Sequence, residues 1–380
     1  MILLTANDPV SGIFSGQVTD VARVLRTDHA LDVRTISCFP GKIYSREKAL
    51  LASQDPEAKA IRSWFPLSWF RKNERFIRKY LAADKDGVVL ARGPFACAMA
   101  LDLKKEGVVK KVIYDGRGAV KAEFSEYDLG GSRLKPVATE AERQSVTEAD
   151  LRISVSNKLV EWWRATYDYG DELHIVIPSS LDSALEEVAF IGDHPQKNKI
   201  AGVNEKDVLF AFSAGSGDWQ STDLIASFVE KAFSSDPRYK LLFLSRTELK
   251  GNSVLEKYKD RVVQVWVDHF EVPGMLACAD YALLLRENSV TNHVASPVKF
   301  AEYLHQGLPV IISPNVGDYS ELVTNSKIGC VWDNGPLPTL NKLSMDERLR
   351  IHEFAKLNFS KRCAKLAGSY GKLASFIKGS

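Results

Sequence analysis

Short apolar runs alternate along this chain with segments whose apolar residues recur at helical spacing. Residues 310–312 are all apolar, which is typical of a strand buried on both faces of a parallel sheet. The alternation predicts an α/β protein. We expect strands at 2–5, 31–39, 87–90, 109–114, 151–156, 207–212, 240–245, 262–267, 280–285, 310–312 and 328–332. We expect helices at 17–25, 45–60, 95–106, 138–150, 158–167, 223–232, 268–278, 297–306, 345–358 and 361–377.

The length of 380 residues favours two domains. We place their boundary near Asp182, because the following stretch, 183–205, is polar and lacks apolar periodicity. The N-terminal domain then spans 1–182 and the C-terminal domain 183–360, each of the Rossmann-like type in which strands and helices alternate. A final helix is expected within 361–380.

The composition argues against several functional classes. The net charge of +2 indicates no general affinity for nucleic acid. The five cysteines are widely spaced without a Cys-x-x-Cys pair, which indicates reduced thiols in a cytoplasmic protein and no metal or disulfide framework. Met1 leads directly into a strand, so we expect no signal peptide. No apolar run is long enough for a membrane-spanning helix.

The stretch 295–314 reads as a loop, a helix, a turn and a strand. Ser296 is placed to cap the helix, and Gly307 is placed to end it in a left-handed conformation. The charged residues Lys299 and Glu302 lie near the start of this helix, where a helix N-terminus attracts anions.

The second half of this stretch, Glu302 followed by Gly307-Leu-Pro-Val-Ile, resembles the donor-site motif of retaining GT-B glycosyltransferases of the family-4 type (glycosyl transferases group 1). Val294 stands where the motif has its first Glu. The resemblance implies two Rossmann-like domains that face each other across a cleft. In it the N-terminal domain binds the acceptor, the C-terminal domain binds a nucleoside diphosphate sugar, and the tail 361–380 packs back on the first domain. It also implies that Glu302 binds the ribose hydroxyls.

Three charged residues of the N-terminal domain follow predicted strand ends, where ligands of parallel sheets bind: Arg92, Asp115 and Arg117. The run Tyr114-Asp-Gly-Arg-Gly118 with Glu123 resembles a pattern of a bacterial subset of these enzymes. That resemblance places Asp115 or Glu123 near the acceptor hydroxyl and makes the three residues 115, 117 and 123 catalytic candidates. The alternative is that Asp115 and Arg117 pair only to hold a turn.

Gly12 and Gly16 lie in a turn-rich segment between the first strand and the first helix. The resemblance makes this a loop that touches the acceptor or the donor phosphates, together with Arg92. The alternative is that both are ordinary turn glycines, since their spacing does not match the dinucleotide fingerprint.

In the C-terminal domain, the loop 213–222 contains Gly215 and Gly217 and can aim backbone N–H groups at a phosphate. The basic pair that usually follows this loop in the family is absent here. We therefore assign the phosphate charge to Arg286 and Lys299, with Arg246 as a further candidate. The alternative for each is an ordinary surface charge.

Two further donor-site candidates come from position in the resemblance alone. His269 lies in the segment that corresponds to the loop cradling the nucleotide base, and Asn292 lies in the loop 287–293 that replaces the family's sugar-binding loop. The C-terminal domain contains no Asp-x-Asp motif to hold a divalent ion beside the diphosphate, so we expect no metal and no cofactor besides the nucleotide sugar.

The segment 61–81 mixes aromatic and basic residues. Such a composition suits a helix that lies on a membrane surface, or a site for a lipid-linked acceptor. The alternative is a core helix with a solvated basic side.

These observations predict a metal-independent glycosyltransferase that transfers a sugar to a hydroxyl acceptor. By resemblance it retains configuration and serves bacterial surface polysaccharide synthesis. The cysteines place it in the cytoplasm, and the segment 61–81 favours peripheral contact with the inner face of the membrane. Two alternatives remain: a non-catalytic nucleotide-sugar-binding partner subunit, and a nucleotide-sugar 2-epimerase of the same architecture.

Overall fold

The structure is a computed structural model that describes residues 1–129, 131–170, 173–187, 190, 200, 202–214, 222–246 and 252–379. The chain divides into two compact units. Unit 1 comprises Met1–Asp182 and Lys361–Ser380, and unit 2 comprises Ser183–Ser360. In the described ranges, no helix is long and apolar enough to cross a membrane.

Unit 1 contains a parallel sheet in which seven strands are described, in the order β3-β2-β1-β4-β5-β6-β7. The strands are β1 (Ile2–Ala6), β2 (Arg34–Pro40), β3 (Lys59–Ser63), β4 (Val88–Arg92), β5 (Lys111–Gly116), β6 (Leu151–Ser154) and β7 (His174–Val176). The central strands are buried along nearly their whole length, as the unbroken apolar runs predict.

Helices connect these strands. They are α1 (Gly12–Phe14), a π-helical turn (Ser15–Thr19), α2 (Asp20–Thr27), α3 (Tyr44–Gln54), a 3₁₀ segment (Leu67–Asn73), α4 (Glu74–Ala82), α5 (Pro94–Lys105), α6 (Val120–Glu126), α7 (Gly131–Glu148) and α8 (Asn157–Tyr167). Phe14, Val18 and Leu25 pack into the core of the unit against Leu3 of β1.

Unit 2 contains a second parallel sheet, with six described strands in the order β10-β9-β8-β11-β12-β13. After α9 (Ser183–Glu186), the strands are β8 (Val208–Ser213), β9 (Tyr239–Leu244), β10 (Val262–Val265), β11 (Tyr281–Leu284), β12 (Val310–Ile312) and β13 (Gly329–Val331). The helices are α10 (Thr222–Ser235), α11 (Ser253–Lys257), a 3₁₀ turn (Lys259–Arg261), α12 (Val272–Ala277), α13 (Val290–His293), α14 (Val298–His305), α15 (Tyr319–Ser326) and α16 (Met345–Phe359).

The last helix, α17 (Ala364–Lys378), belongs to unit 1. Its apolar face joins the core of that unit through Leu366, Tyr370 and Leu373. Just before it, the buried ammonium of Lys361 pairs with Asp20 at 2.9 Å and donates to the carbonyl of Leu181. Lys361 thus fixes the two places where the chain passes between the units, at Leu181 and at Lys361 itself, to the helix that contains Asp20.

Several predicted elements are wrong. The predicted helix 45–60 ends at Gln54, because Pro56 follows, and the next residues form β3. The predicted loop before residue 17 is helical from Gly12. The strand β7 and the helix α6 were not expected at all, since each is short and has no clear apolar period.

Candidate active site

The carboxyl ends of β1, β4 and β5 bring together charged residues of unit 1. Arg92, which ends β4, lies in register with Asp115 of β5 and with Thr5 of β1. Because parallel strands end at the same edge of a sheet, the two charged side chains meet there. The predicted grouping of Arg92 with Asp115 is therefore present in the structure.

Arg92 bridges two carboxylates. Its Nε donates to Asp8 at 2.8 Å, and its Nη1 donates to Asp115 at 3.2 Å. Burial opposes the charge of this guanidinium, but the two carboxylates outweigh burial and raise the pKa of Arg92. The Arg92 side chain is thus a fixed cation that orients Asp115.

Asp115 is 9% exposed and has a second guanidinium partner, Arg117, at 3.4 Å. Arg117 also donates from Nη2 to Gln17 and to Ser179, each at 3.1 Å. Burial, reinforced by the charge of Arg92, lowers the pKa of Arg117 despite the attraction of Asp115. The structure therefore shows the Asp115–Arg117 ion pair, while a catalytic role for either residue stays a prediction.

Glu123 lies on α6, and its carboxylate covers the turn that follows β5. A Cβ atom added to Gly118 would lie 2.3 Å from Glu123 Oε1, so glycine leaves room for this side chain. Burial, with repulsion from Glu142 and Glu126, raises the pKa of Glu123 to about 7. A carboxyl group with this pKa can accept or release a proton near neutrality, as a general base or acid requires.

Glu142 holds α6 in place beneath Glu123. Its carboxylate accepts from the N–H groups of Val120 at 2.9 Å and Lys121 at 2.8 Å, and from the hydroxyl of Tyr167 at 2.7 Å. These bonds satisfy N–H groups at the first turn of the helix. The carboxyl group of Glu142, whose pKa is raised by burial, is thus fixed beside Glu123.

Gly12 and Gly16 are helical, so the prediction that they lie in a loop is wrong. Gly12 begins α1, which Ser11 caps, and the buried Gly16 lies in the π-helical turn. A Cβ at Gly16 would lie 3.4 Å from Cβ of Asp182, and the carboxylate of Asp182 accepts from Ser15 at 2.9 Å. The helix therefore packs closely on 180–182, and Gly16 permits that approach. A ligand role for either glycine stays a prediction.

In unit 2, the start of α14 meets the carboxyl end of β8. Lys299 donates from Nζ to the carbonyl of Ser213, and the N–H of Ser213 donates to the Tyr303 hydroxyl at 3.1 Å. Burial, followed by repulsion from Arg286, lowers the pKa of Lys299 to about 7, although Glu302 opposes the shift. Lys299, Arg286 and Glu302 are therefore close enough to interact electrostatically.

Arg286 directly follows β11 and is 7% exposed, so it is not the surface charge of the alternative interpretation. The main-chain N–H of Arg286 donates to the Ser313 hydroxyl at 2.8 Å, and this bond links the residues that follow β11 and β12. Glu302 is half-buried on α14, three residues after Lys299. The structure thus brings the three principal donor-site candidates together at one sheet edge.

Ser296 does not cap α14, and that prediction is wrong. Pro297 occupies the N-cap position without a side-chain hydrogen bond, and the Ser296 hydroxyl pairs instead with the hydroxyl of Tyr319 at 2.6 Å. Gly307 does adopt the predicted left-handed conformation, with φ of 69°. Pro297 has no polar side-chain atom, so the N-cap residue of α14 provides no side-chain hydrogen bond to the first turn of the helix.

Asn292 is 2% exposed, and its side chain is hydrogen-bonded within the protein. Its amide donates to the carbonyl of Glu287 at 3.1 Å and to Ser289 at 3.0 Å, within a segment that forms the short helix α13. The prediction of a loop at 287–293 is wrong for this helical part. Asn292 therefore shapes the connection between β11 and α14, and a contact to sugar stays a prediction.

Arg246 and His269 follow the ends of β9 and β10. The exposed guanidinium of Arg246 stacks on the ring of Trp266 at 4.1 Å, and His269 contacts Phe270. The structure does not bring either residue to Arg286 or Lys299 by any described contact. Gly215 and Gly217 lie outside the described residues.

Several residues at these sites were not predicted. Asp8, Gln17 and Ser179 complete the polar group around Arg92 and Arg117, and Tyr303 and Ser213 complete the group around Lys299. Position after a strand could have indicated Asp8, but the other contacts depend on tertiary packing. Among the described residues, no group of His, Cys, Asp and Glu side chains is arranged to hold a metal ion.

No protein-family model and no curated protein matches this chain. Solved structures do resemble it over their full length. HepE from Anabaena in complex with UDP has a TM-score of 0.68 at 12% identity, with 100% of each chain covered. Sucrose-phosphate synthase from Thermosynechococcus elongatus has a TM-score of 0.68 at 13% identity, with 100% of each chain covered. WaaG, a glycosyltransferase involved in lipopolysaccharide biosynthesis, has a TM-score of 0.64 at 13% identity, also with 100% of each chain covered.

These likenesses and the two parallel sheets confirm the predicted fold class, the α/β GT-B fold with two Rossmann-like domains. At this level of identity they establish the fold alone. The chemistry has to be argued from the residues.

Proposed function

We propose that this protein is a glycosyltransferase that moves a sugar from a nucleoside diphosphate sugar to a hydroxyl acceptor. The observation that carries the proposal is the proximity of two cations, Arg286 and Lys299, at the carboxyl edge of the sheet in unit 2. Two like charges that are largely shielded from solvent repel each other strongly. A bound dianion would offset that repulsion. A diphosphate has the charge and the size for this role.

Each residue of the group has a distinct task in this proposal. Arg286 offers a planar fork to the phosphate oxygens, and Lys299 offers a point charge. Glu302 accepts hydrogen bonds from the ribose hydroxyls. The positive end of the α14 helix dipole, where Lys299 stands in the first turn, adds to the attraction for an anion. Together these groups stabilise the negative charge that develops on the leaving diphosphate.

The acceptor belongs to unit 1 in this proposal. Glu123, with a pKa of about 7, takes the proton from the acceptor hydroxyl. The acceptor oxygen then bonds to the anomeric carbon on the same face from which the diphosphate leaves, as the bond from that carbon to the diphosphate oxygen breaks. Asp115, oriented by Arg92 and Arg117, positions the acceptor. Retention of configuration rests on the family resemblance and is tested by following the anomeric proton of the product by NMR.

UDP is the first nucleotide to test, because HepE has been crystallised with UDP and with UDP-glucose. The involvement of WaaG in lipopolysaccharide biosynthesis supports a bacterial surface glycan as the acceptor class. The five free cysteines are compatible with the reducing cytoplasm, where we place the protein.

A thermal-shift screen with UDP, GDP, ADP, CMP and dTDP tests the donor site. We expect one nucleotide to raise the melting temperature of the wild type, since a ligand that binds the native state stabilises it. The shift should disappear in Glu302→Ala. It should persist in Glu321→Ala, a matched change of an exposed glutamate on α15. A shift that survives Glu302→Ala would remove the proposed ribose contact.

Metal independence is part of the proposal, because Arg286 and Lys299 already supply positive charge for the diphosphate. The stabilisation by nucleotide should therefore be the same with and without EDTA. Loss of the nucleotide shift in EDTA would show that a divalent ion completes the site.

Two departures from the family favour the non-catalytic alternative. Val294 stands where the motif has a Glu, and the run Tyr114-Asp-Gly-Arg-Gly118 stands where better-known members have a His. Turnover of the donor separates the alternatives. Slow release of free sugar and nucleoside diphosphate identifies a transferase, a changed sugar on an intact nucleotide identifies a 2-epimerase, and binding without turnover identifies a partner subunit.

A further inference from the structure

A surface of aromatic and basic side chains covers one part of unit 1, formed by the end of β3, the 3₁₀ segment and α4. We call it the 62–79 surface; its members are Arg62, Trp64, Phe65, Trp69, Lys72, Arg75 and Lys79. The indoles of Trp64 and Trp69 are 61% and 57% exposed. Exposed apolar rings that are grouped together are typical of surfaces that bind a partner or a membrane.

The cations of this surface lie on rings. Arg62 lies 4.4 Å from the ring of Trp64, Lys72 lies 4.3 Å from that of Trp69, and Arg75 lies 5.0 Å from that of Phe65. In the described ranges, no carboxylate lies within ion-pair distance of Arg62, Lys72 or Arg75. The described part of the chain therefore supplies no carboxylate partner for these three cations.

The surface is held in shape from beneath. The buried side chain of Asn73 accepts from the N–H groups of Trp64 at 3.0 Å and Phe65 at 3.4 Å. Phe70, also buried, packs against Phe95 of α5 with ring centroids 5.1 Å apart. The exposed indoles therefore project from an anchored segment.

A pocket of about 450 Å³ lies beside the indole of Trp69, between the 3₁₀ segment and α7. Its walls include Trp69, Phe70, Pro136 and Val137, and Lys72 stands among them. Glu140 also lines it, but its carboxylate pairs with Arg143 at 2.6 Å. The volume falls within the range of ligand-binding pockets, and the pocket combines apolar walls with a cation.

We propose that the 62–79 surface binds the face of a bilayer that carries anionic lipids, and that the pocket receives an apolar part of a lipid. Tryptophan is enriched where proteins meet the membrane–water interface, because its ring is apolar and its N–H is polar. Basic side chains are attracted to the negative potential of anionic lipids. Tryptophan and arginine occur at protein interfaces as well, but lysine is depleted there, so the two lysines favour the lipid surface.

Co-sedimentation of the full chain with vesicles tests this proposal. Vesicles of phosphatidylcholine alone are compared with vesicles that also contain phosphatidylglycerol. We expect the protein to pellet with the anionic vesicles only, and to be released by high salt, which screens surface charges.

Two variants separate the contributions. Trp64→Ala with Trp69→Ala should lower the affinity for anionic vesicles by roughly tenfold or more, through lost apolar burial. Lys72→Glu with Arg75→Glu should lower it by at least about fivefold for each charge removed. Trp266→Ala, a matched change of an exposed tryptophan under a cation in unit 2, should leave vesicle binding unchanged.

The proposal is overturned if the chain fails to pellet with anionic vesicles, or if the two double variants pellet as the wild type does. Light scattering after size exclusion addresses another occupant. A dimer that dissociates in the double tryptophan variant, without vesicle binding, would show that a second copy of the chain covers this surface. The thermal shift with UDP tests the donor site in unit 2, so its result is independent of vesicle binding by unit 1.

Discussion

Lys299 donates a hydrogen bond from its Nζ to the main-chain carbonyl of Ser213, the last residue of β8. The N–H of Ser213 donates in turn to Tyr303, one turn further along α14. The side chains of α14 thus hold the end of the strand. The lysine is buried near Arg286, and its pKa is lowered to about 7. Burial of the Lys299 ammonium lowers the stability of the free protein. An anion bound at this edge would offset that loss by pairing with the ammonium.

We expect Lys299→Met to stabilise the free protein. In the folded chain the pKa of Lys299 is about 7, below its ordinary value of 10.5, so the buried ammonium destabilises the fold fully below pH 7. That cost is relieved as the pH rises from about 7 towards 10.5. The melting temperature of the variant should exceed that of the wild type by about 2–4 °C at about pH 6, with a smaller gain at about pH 9.

The same variant should lose its thermal response to nucleotide. We expect a gain in stability together with a loss of binding when a residue serves ligand binding at the expense of the stability of the fold. A destabilised variant that still responds to nucleotide would mean that Lys299 serves only to hold Ser213.

Glu123→Gln tests the proposed proton acceptor. Burial raises the pKa of Glu123 from 4.5 to about 7, so the contribution of this group to stability falls as the pH rises between these values. The variant should match the wild type near pH 4.5 and melt a few degrees higher above pH 7. Transfer activity should be lost by about a hundredfold or more.

Glu57→Gln provides the control, because Glu57 is exposed in unit 1 and its charge is not among those that raise the pKa of Glu123. It should leave both activity and the pH dependence of melting unchanged. Equal activity of Glu123→Gln and the wild type would exclude Glu123 as the base.

Asp115→Asn should destabilise unit 1. The substitution removes the carboxylate shared by Arg92 and Arg117, and leaves buried guanidinium groups with less compensation. Breaking a buried ion pair costs about 3–5 kcal/mol. Urea denaturation measures the loss. A change within experimental error would show that Asp8 alone suffices to balance Arg92.

Gly307→Ala tests the turn that ends α14. Gly307 has a φ of 69°, and a Cβ there would lie 2.8 Å from the carbonyl oxygen of Arg348. The left-handed conformation alone costs an alanine about 1–2 kcal/mol. We expect a loss of at least that size in urea denaturation.

Gly368→Ala is the matched control. Gly368 lies inside α17 with nothing within 4 Å of its would-be Cβ, so alanine should stabilise the helix by about 0.5–1 kcal/mol. Equal effects of the two substitutions would contradict the assignment of Gly307 as a left-handed cap.

Local pattern was sufficient to predict much of the fold. The apolar run 310–312 does form a buried parallel strand, and Gly307 does end α14 in the left-handed conformation. The failure at 45–60 was avoidable, because Pro56 marks the end of α3. The failure at Ser296 was not, since its hydroxyl is engaged by Tyr319, 23 residues away.

The candidate sites were predictable only in part. Position at a strand end indicated Arg92, Asp115 and Arg117, because ligand-binding residues of parallel sheets gather at that edge. Arg286 was chosen because it flanks the stretch 295–314. The bond from Arg92 to Asp8 joins residues 84 positions apart, and no local pattern reports such a contact. The role of each side chain therefore needs measurement.

Titration calorimetry of UDP into the purified protein tests the donor site most directly. We expect saturable binding that Arg286→Ala weakens roughly tenfold to a hundredfold, as the loss of charged hydrogen bonds implies. Glu302→Ala should weaken it as well, and Glu321→Ala should bind as the wild type does. If no nucleoside diphosphate binds, or if Arg286→Ala and Glu302→Ala bind as tightly as the wild type, the nucleotide-sugar site proposed for unit 2 is wrong.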